Sequence, residues 1–284
     1  MVGELHVLWQ SGETSGMSVA LDLRDRVALV TGGSRGIGAA TVRLLAKAGA
    51  RVVFNYQKAR DRAEELVREC GQKFGEGRCH AVPCDLTGTE TAEALVGAAV
   101  ERFGRLDILV VNHGVWPEHD AGIDRMADSQ WRNTLAINLD AVFAVVKHGV
   151  AQMKRQPQQG DKSGGATGHI VLVSSTSGQR GEAFHVDYSA SKGALISMTK
   201  SLSSELIRLG IYVNCVAPGW VDTDMSAGAL ADARTSAAVL GTIPLGRVGT
   251  PEEIAGPIVF LCTEMAGFIS GEVFNVNGGA VLVG

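Results

Sequence analysis

Proline is scarce in this chain, at 7 of 284 residues, and aromatic side chains reach only 5%. Cysteine is scarcer still: Cys70, Cys79, Cys84, Cys215 and Cys262 are odd in number and contain no C-x-x-C pair. A collagen-like chain, a disordered chain and a disulfide scaffold are thereby excluded, and the thiols read as free groups in a reducing cytoplasm. Cys79, His80 and Cys84 lie close together, but a fourth ligand is missing and no metal is expected. An excess of positive charge is also lacking. The formal net charge is −4 with both signs interspersed, so there is no basic stripe for a phosphate backbone and nucleic acid is not an expected partner. No segment approaches the run of about 18 apolar residues that a membrane span needs. The first basic residue is Arg24, so the charged start of a signal peptide is missing and a cytoplasmic location is expected.

What the chain has in quantity is hydrophobic residues, 45%, and glycine, 36 residues, well above the glycine share of about 7% in ordinary proteins. Residues Met1–Gly16 are polar, glycine-rich and aperiodic, and residues 1–20 are expected to form a flexible leader. Residues 21–284 read as one α/β domain, a length that a parallel sheet wrapped by helices often reaches.

Short apolar runs alternate with helical patterns throughout. Strands are expected at Arg26–Thr31, Arg51–Asn55, Arg78–Pro83, Leu106–Val111, His169–Ser174, Tyr212–Ala217 and Glu272–Asn275. Helices are expected at about Ala39–Ala48, Lys58–Lys73, Glu90–Phe103, Asp128–Met153, Val186–Leu209, Ala227–Val239 and Pro251–Cys262. Continuous apolar strands alternating with helices mark βαβ units, so the fold class is a single doubly wound Rossmann-type domain with a seven-stranded parallel sheet flanked by helices. Residues 155–168, rich in Gln and Gly, read as a surface loop. That loop enters the N-terminal end of a strand, away from the rim where ligands collect.

Between the first strand and first helix lies Thr31-Gly-Gly-Ser-Arg-Gly-Ile-Gly38. Glycines there let backbone N–H groups close on a pyrophosphate at a helix N-terminus. An acid near the end of the second strand would grip the 2′-hydroxyl of NAD. Here the stretch reads Phe54-Asn-Tyr-Gln-Lys-Ala-Arg60, with no acid until Asp61. Arg35, with Lys58 or Arg60, offers positive charge instead, which suits a 2′-phosphate and favours NADP(H) over NAD(H).

Tyr188-Ser-Ala-Ser-Lys192 sets a lysine one helical turn beyond a tyrosine, so both share one face. An adjacent ammonium is expected to lower the phenol from its usual value near 10 toward the working range of an acid–base catalyst. Thirteen residues upstream of Tyr188 a strand ends in Ser174-Ser-Thr-Ser177, while Asn112-His-Gly114 and Pro218-Gly219 end two other strands. Several strand ends thus converge on one crevice.

In order and spacing the glycine turn, Asn112-His-Gly114, Asn138, Ser175, Tyr188-x-x-x-Lys192 and Pro218-Gly-Trp-Val-Asp-Thr223 resemble the short-chain dehydrogenase/reductase family. Ile243-Pro-Leu-Gly-Arg-Val-Gly-Thr-Pro-Glu-Glu-Ile254 and Ser270-Gly-Glu-Val-Phe-Asn-Val-Asn-Gly-Gly279 are most similar to its 3-oxoacyl-[acyl-carrier-protein] reductase branch. The resemblance implies interconversion of a ketone and a secondary alcohol by hydride transfer. Tyr188 would be the proton donor, Lys192 its helper, Ser175 the group orienting the carbonyl, and Asn138 the holder of a relay water. It also implies cofactor contacts from Gly32, Ser34, Arg35, Gly36, Ile37, Gly38, Asn55, Lys58, Asp85, Leu86, Asn112, Gly114, Tyr188, Lys192, Pro218, Gly219, Val221 and Thr223. A homotetramer or homodimer follows by the same analogy. Acyl carrier protein is a partner of related reductases, docking on basic residues; Arg155 and Arg208 lie nearby, but the loop after Arg155 disturbs that location. A sugar or polyol dehydrogenase with the same machinery, or a non-catalytic nicotinamide-sensing protein, are the alternative readings.

Two departures stand out. His113 replaces the family's usual alanine, and the long loop after Arg155 alters the carrier-protein docking location; the substrate side is the least readable. There Trp116 and Phe184 suggest an apolar wall, with Glu118, Arg180, His185 and Asp187 as polar candidates and Met225–Leu240 as a small-residue segment.

Overall fold

A computed structural model describes residues 21–87, 89–117, 119–157 and 166–283, with 89 and 90 as backbone only. The expected leader, Glu118 and the centre of the 155–168 loop lie outside the described residues. Seven parallel strands form one sheet: β1 Val27–Thr31, β2 Arg51–Tyr56, β3 Cys79–Pro83, β4 Ile108–Val111, β5 Gly168–Val173, β6 Ile211–Pro218 and β7 Val273–Val276. Their spatial order is β3-β2-β1-β4-β5-β6-β7. Winding runs outward from β1 to β3, returns to the centre at β4, and continues to β7. The β1/β4 junction is therefore the switch point where a crevice opens at the strand C-termini.

The helices follow the expected alternation: α1 Gly36–Lys47, α2 Arg60–Phe74, α3 Thr89–Phe103, α4 Asp128–Leu135, α5 Ala141–Arg155, α6 Thr176–Arg180, α7 Val186–Leu206, α8 Ala227–Ala231, α9 Ala233–Gly241 and α10 Pro251–Phe260. The inner strands β1, β4, β5 and β6 are buried on both faces because helices cover both. One core layer holds Val42 and Leu45 of α1, Leu66 of α2 and Ile258 of α10 against Val30, Val52 and Val171. The other holds Leu95 of α3, Val145 of α5 and Leu195 of α7 against Leu29, Leu109 and Leu172. Helix α10 starts as its sequence demands, with a capping box between Thr250 and Glu253 and a proline in the first turn, which satisfies N–H groups that would otherwise lack partners.

Three departures from the sequence reading bear on the site. The single helix expected at Asp128–Met153 is broken by a π turn at Ala136–Asp140. Its apolar run remains the one helical stretch among the described residues long and apolar enough to cross a bilayer, with mean hydropathy 1.3 over 18 residues. Ala141, Val142, Val145, Val146 and Met153 are buried in the second core layer, so it is a core helix. The helix expected at Ala227–Val239 is two, divided at Asp232, whose carboxylate accepts from the backbone N–H of Thr235 and caps α9. Finally, the hydroxyl-rich Ser175-Thr-Ser177, expected as the end of a strand, lies beyond β5 and opens a helix. Ser175 caps the short helix α6 by accepting from Ser177 N at 3.1 Å, the local bonding that makes serine a helix starter.

Candidate active site

A cavity of about 470 Å³ runs along the C-terminal ends of the central strands. Its floor is the glycine turn. Gly32 and Gly36 adopt φ of +64° and +52°, a conformation that only glycine takes without strain. A Cβ on Gly38 would stand 2.2 Å from the Gly32 carbonyl oxygen, so no side chain fits where the turn enters α1. Arg35, the residue before α1, is extended and places no side-chain bond on the first turn. The first-turn N–H groups of α1 are thus left for an anion, and Gly36 and Ile37 face the cavity. Backbone N–H groups and helix dipole together make this a cradle that fits a pyrophosphate.

Asn55 holds the cradle in place. Its Oδ1 accepts from Gly32 N at 2.9 Å and its Nδ2 donates to the Cys84 carbonyl at 2.9 Å, tying the glycine turn to the end of β3. Asn112 does the same from β4, donating through Nδ2 to the Thr31 and Gly32 carbonyls. Thr31 Oγ1 accepts from the backbone N–H groups of Asn112 and His113. Its own proton is then left for Nδ1 of His113 at 2.8 Å. Burial, with help from the charge of Lys192, pushes the imidazole down to about 4; His113 is a neutral brace at neutral pH.

Opposite the cradle stand Ser175, Tyr188 and Lys192. Gly178 brings them close: a Cβ there would lie 2.6 Å from the Lys192 backbone carbon, so α6 and α7 touch through backbone. Ser174 Oγ donates to the Lys192 carbonyl at 2.7 Å, and Lys192 Nζ donates to the Val173 carbonyl at 2.9 Å. The ammonium sits 5.8 Å from the centre of the Tyr188 ring. The phenol departs from expectation. Burial pushes Tyr188 up to about 12, offset in part by the Ser175 hydroxyl, and the same burial brings Lys192 down to about 8. Removing water penalises each charged form more than the neighbouring dipoles compensate. At neutral pH the pair is therefore a protonated phenol beside an ammonium.

Asn138 is fully buried in the π turn. Its carboxamide is engaged: Oδ1 accepts from Val115 N at 2.8 Å, and Nδ2 donates to the Val115 carbonyl and Ser191 Oγ. The structure places Gly32, Ser34, Arg35, Gly36, Ile37, Asn55, Lys58, Asp85, Leu86, Asn112, Gly114, Ser175, Tyr188, Lys192, Pro218, Gly219, Val221 and Thr223 on the cavity wall. Gly38 and Asn138 stand behind it. Of the two candidates for a second cation, Lys58 lines the cavity, whereas Arg60 turns back to Glu64 at 2.9 Å.

The substrate end is built of rings. Trp116 meets Tyr188 edge-on at 4.6 Å between centroids, His185 at 4.0 Å and Trp220 at 6.4 Å. Phe184, expected in this wall, is instead more than half exposed, with φ of +64°. Asp187, expected at the rim, is fully buried and accepts from Thr134 Oγ1 and Gln130 Nε2. Arg180 pairs with Glu182, which lines the cavity. Met225 and Ala229 face the cavity from the small-residue segment.

Sequence reading missed Trp220, whose only signal was its place inside the Pro218–Thr223 motif. It also missed Arg62 and Asp224. The Asp224 carboxylate bridges Arg35, at 3.4 Å, and Arg62, so the strand 6 exit is strapped across the cleft to the glycine turn.

Known proteins share this arrangement. A family model described as enoyl-(acyl carrier protein) reductase matches residues 32–281. A 3-oxoacyl-[acyl-carrier-protein] reductase of Synechocystis is 37% identical over 92% of this chain and 98% of its own. An L-rhamnose 1-dehydrogenase (NAD(P)(+)) of Azotobacter vinelandii is 37% identical over 90% and 97%. A dehydrogenase/reductase from Sinorhizobium meliloti superposes with a TM-score of 0.83 at 33% identity, covering 93% of this chain and 98% of that one.

Proposed function

The chain belongs to the short-chain dehydrogenase/reductase family of oxidoreductases, and from that premise we propose that it interconverts a ketone and a secondary alcohol with NADP(H) as partner. The observation that carries the reading is the meeting of Ser175, Tyr188 and Lys192 with the glycine cradle on one cavity wall. Bound there, the nicotinamide would supply hydride to a carbonyl carbon or take it from an alcohol. Ser34, Arg35, Gly36, Ile37 and Gly38 would hold the phosphates and Asp85 and Leu86 the adenine. Asn112 and Gly114 would lie beside the ribose, with Pro218, Gly219, Val221 and Thr223 beside the carboxamide.

The protein's own groups do the rest. Ser175 and Tyr188 hydroxyls grip the carbonyl oxygen, and Tyr188 gives its proton to that oxygen as charge develops there. A phenol held protonated is in the state a donor needs. The Lys192 ammonium stabilises the phenolate left behind and narrows the gap that burial opened. Asn138 acts through its surroundings, its amide fixing Val115 at the cavity wall, and it would hold a relay water.

Lys58 and Arg35 support NADP(H) over NAD(H), since both line the cavity and the end of β2 bears no acid. A cytoplasmic enzyme acting on a small molecule fits the free thiols, of which Cys70, Cys79, Cys215 and Cys262 are buried. A homotetramer or homodimer fits the exposed Met265, Phe268 and Leu282; light scattering reads it directly. The relatives reduce carrier-protein thioesters or oxidise a sugar by name, so they support the reaction and leave the substrate open.

Tyr188→Phe tests the reading. NADPH binding, followed by fluorescence, should stay within about twofold, while ketone turnover falls by roughly a thousandfold, inside the range of general acid catalysis. Retained turnover would remove Tyr188 from its role, and lost NADPH binding would remove the cavity from the cofactor.

A further inference from the structure

Trp116 is the hub of the substrate end, and the groups behind it fix its position. On one side His185 lies 4.0 Å away, centroid to centroid. That imidazole is held by Asp120, 3.1 Å from Nε2 to Oδ1. The backbone of the same loop is tied to the same segment, with Ala121 N donating to the Phe184 carbonyl at 3.1 Å. On the other side Trp116 touches the edge of the Tyr188 ring and approaches Trp220. The Tyr188 and Trp220 pairs fall inside the separation at which aromatic rings attract, and the His185 ring packs closer still. The result is one continuous aromatic wall, braced from behind and ending at the proton donor.

Three hydroxyls near this end are already engaged, while Nδ1 of His185 and Oε1 of Gln179 are buried without a partner among the described residues. Ser177 Oγ is paired with Ser189 Oγ at 2.8 Å, and Ser226 Oγ donates to the Val221 carbonyl. Thr223 Oγ1 is paired with Ser226 Oγ. Beyond Ser175, Tyr188 and Lys192, the carboxylate of Glu182 also lines the cavity and is paired with Arg180. A polyol carries several hydroxyls that lose water on entry, and each left unpaired weakens binding. An open acyl chain could lie along the rings only by freezing one rotor after another, whereas a ring offers the same contact already ordered.

Resting on the oxidoreductase reading above, we infer that Trp116, braced by His185 and Asp120, selects a cyclic, apolar ketone or the matching ring alcohol. In the reduction the ring carbonyl gains hydride at carbon from the reduced dinucleotide, which is thereby oxidised, and a proton at oxygen from Tyr188. Trp116 is the specificity-determining residue; His185 and Asp120 are positioning residues.

The test compares three probes: 2-tetralone and the N-acetylcysteamine thioester of acetoacetate with NADPH, and L-rhamnose with NADP+. In the native enzyme kcat/KM for 2-tetralone should exceed that of the other two by about tenfold or more. Trp116→Ala should raise KM for 2-tetralone by about tenfold with kcat little changed, the size expected for one lost aromatic contact with its buried area. It should leave KM for the thioester within about twofold. Trp116→Phe should restore most of the loss, and His185→Ala should reproduce part of it. Preference of the native enzyme for the thioester or the sugar, or an equal loss on every probe in Trp116→Ala, would overturn the inference while the oxidoreductase reading stands. Should NADPH bind and none of the probes turn over, the reaction reading fails separately. In that case quenching of tryptophan fluorescence by 2-tetralone, present in the native protein and lost in Trp116→Ala, still upholds the ring site, and its absence overturns it.

Discussion

The two ends of the cleft are built by different means. At the cradle, geometry belongs to the backbone: positive φ at Gly32 and Gly36, a Gly38 that admits no Cβ, and carboxamides of Asn55 and Asn112 that fasten the turn to two strands. At the substrate end, geometry belongs to side chains brought from separate segments: Trp116 from the β4 exit, His185 from before α7, and Trp220 from the β6 exit. A backbone site tolerates almost no change and recognises what all members of a class share. A side-chain wall can be exchanged residue by residue, which is how one scaffold serves many substrates.

If that contrast is right, the largest effect belongs to the cradle. Gly38→Ala drives a methyl group onto the Gly32 oxygen and should weaken NADPH binding by about a hundredfold or more, since overpacking against backbone costs about 1–3 kcal/mol and also turns the phosphate donors away. Calorimetric titration reads this. An alanine there that binds NADPH normally would break the comparison.

A smaller effect is expected where side chains reach the cradle's edge. Arg35→Ala combined with Lys58→Ala should cost about tenfold in NADPH affinity and leave NADH nearly unchanged, as befits partly exposed charges on a phosphate. Equal losses for both dinucleotides would assign these cations to the pyrophosphate instead. The smallest belongs to the strap between the two ends. Asp224→Asn removes a carboxylate that now shares Arg35 and Arg62 and should tighten NADPH by only about twofold, because exposed ion pairs contribute little. The gain should shrink as salt is raised from 0.05 to 0.5 M. A loss of affinity would show that the strap supports the cofactor rather than competing with it.

The same contrast explains what could be read from the sequence. Short apolar runs between helical patterns announce the strands, so all seven fall within a residue or two of their expected bounds. The glycine turn was legible because a residue type with no Cβ records a close approach in its identity. The π turn at Ala136–Asp140 left no such mark: Ala-Ile-Asn-Leu-Asp continues a helical period without interruption. Helix α6 was hidden by residues that read as the end of a strand, since Ser, Thr and Gly are poor helix formers away from a cap. The direction in which Tyr188 moves could not be read either. The spacing to Lys192 is written in the chain, but the loss of water around the phenol is a property of the assembled fold. Asp224, Arg62 and Trp220 belong to the same category, for each acquires its meaning from a partner far away in sequence.

The pairing of β1 with β4 carries one more consequence. Val30 lies beside Val110 at the centre of the sheet, so the junction joins two segments far apart in the chain. The cradle is made of β1's turn and β4's Asn112 together, so neither half of the chain holds it alone. Whatever molecule settles there binds only the completed fold, and at a hundred times its dissociation constant it adds about 2.7 kcal/mol to the free energy of unfolding. The supply of that molecule is then written directly into how long each copy of the protein survives.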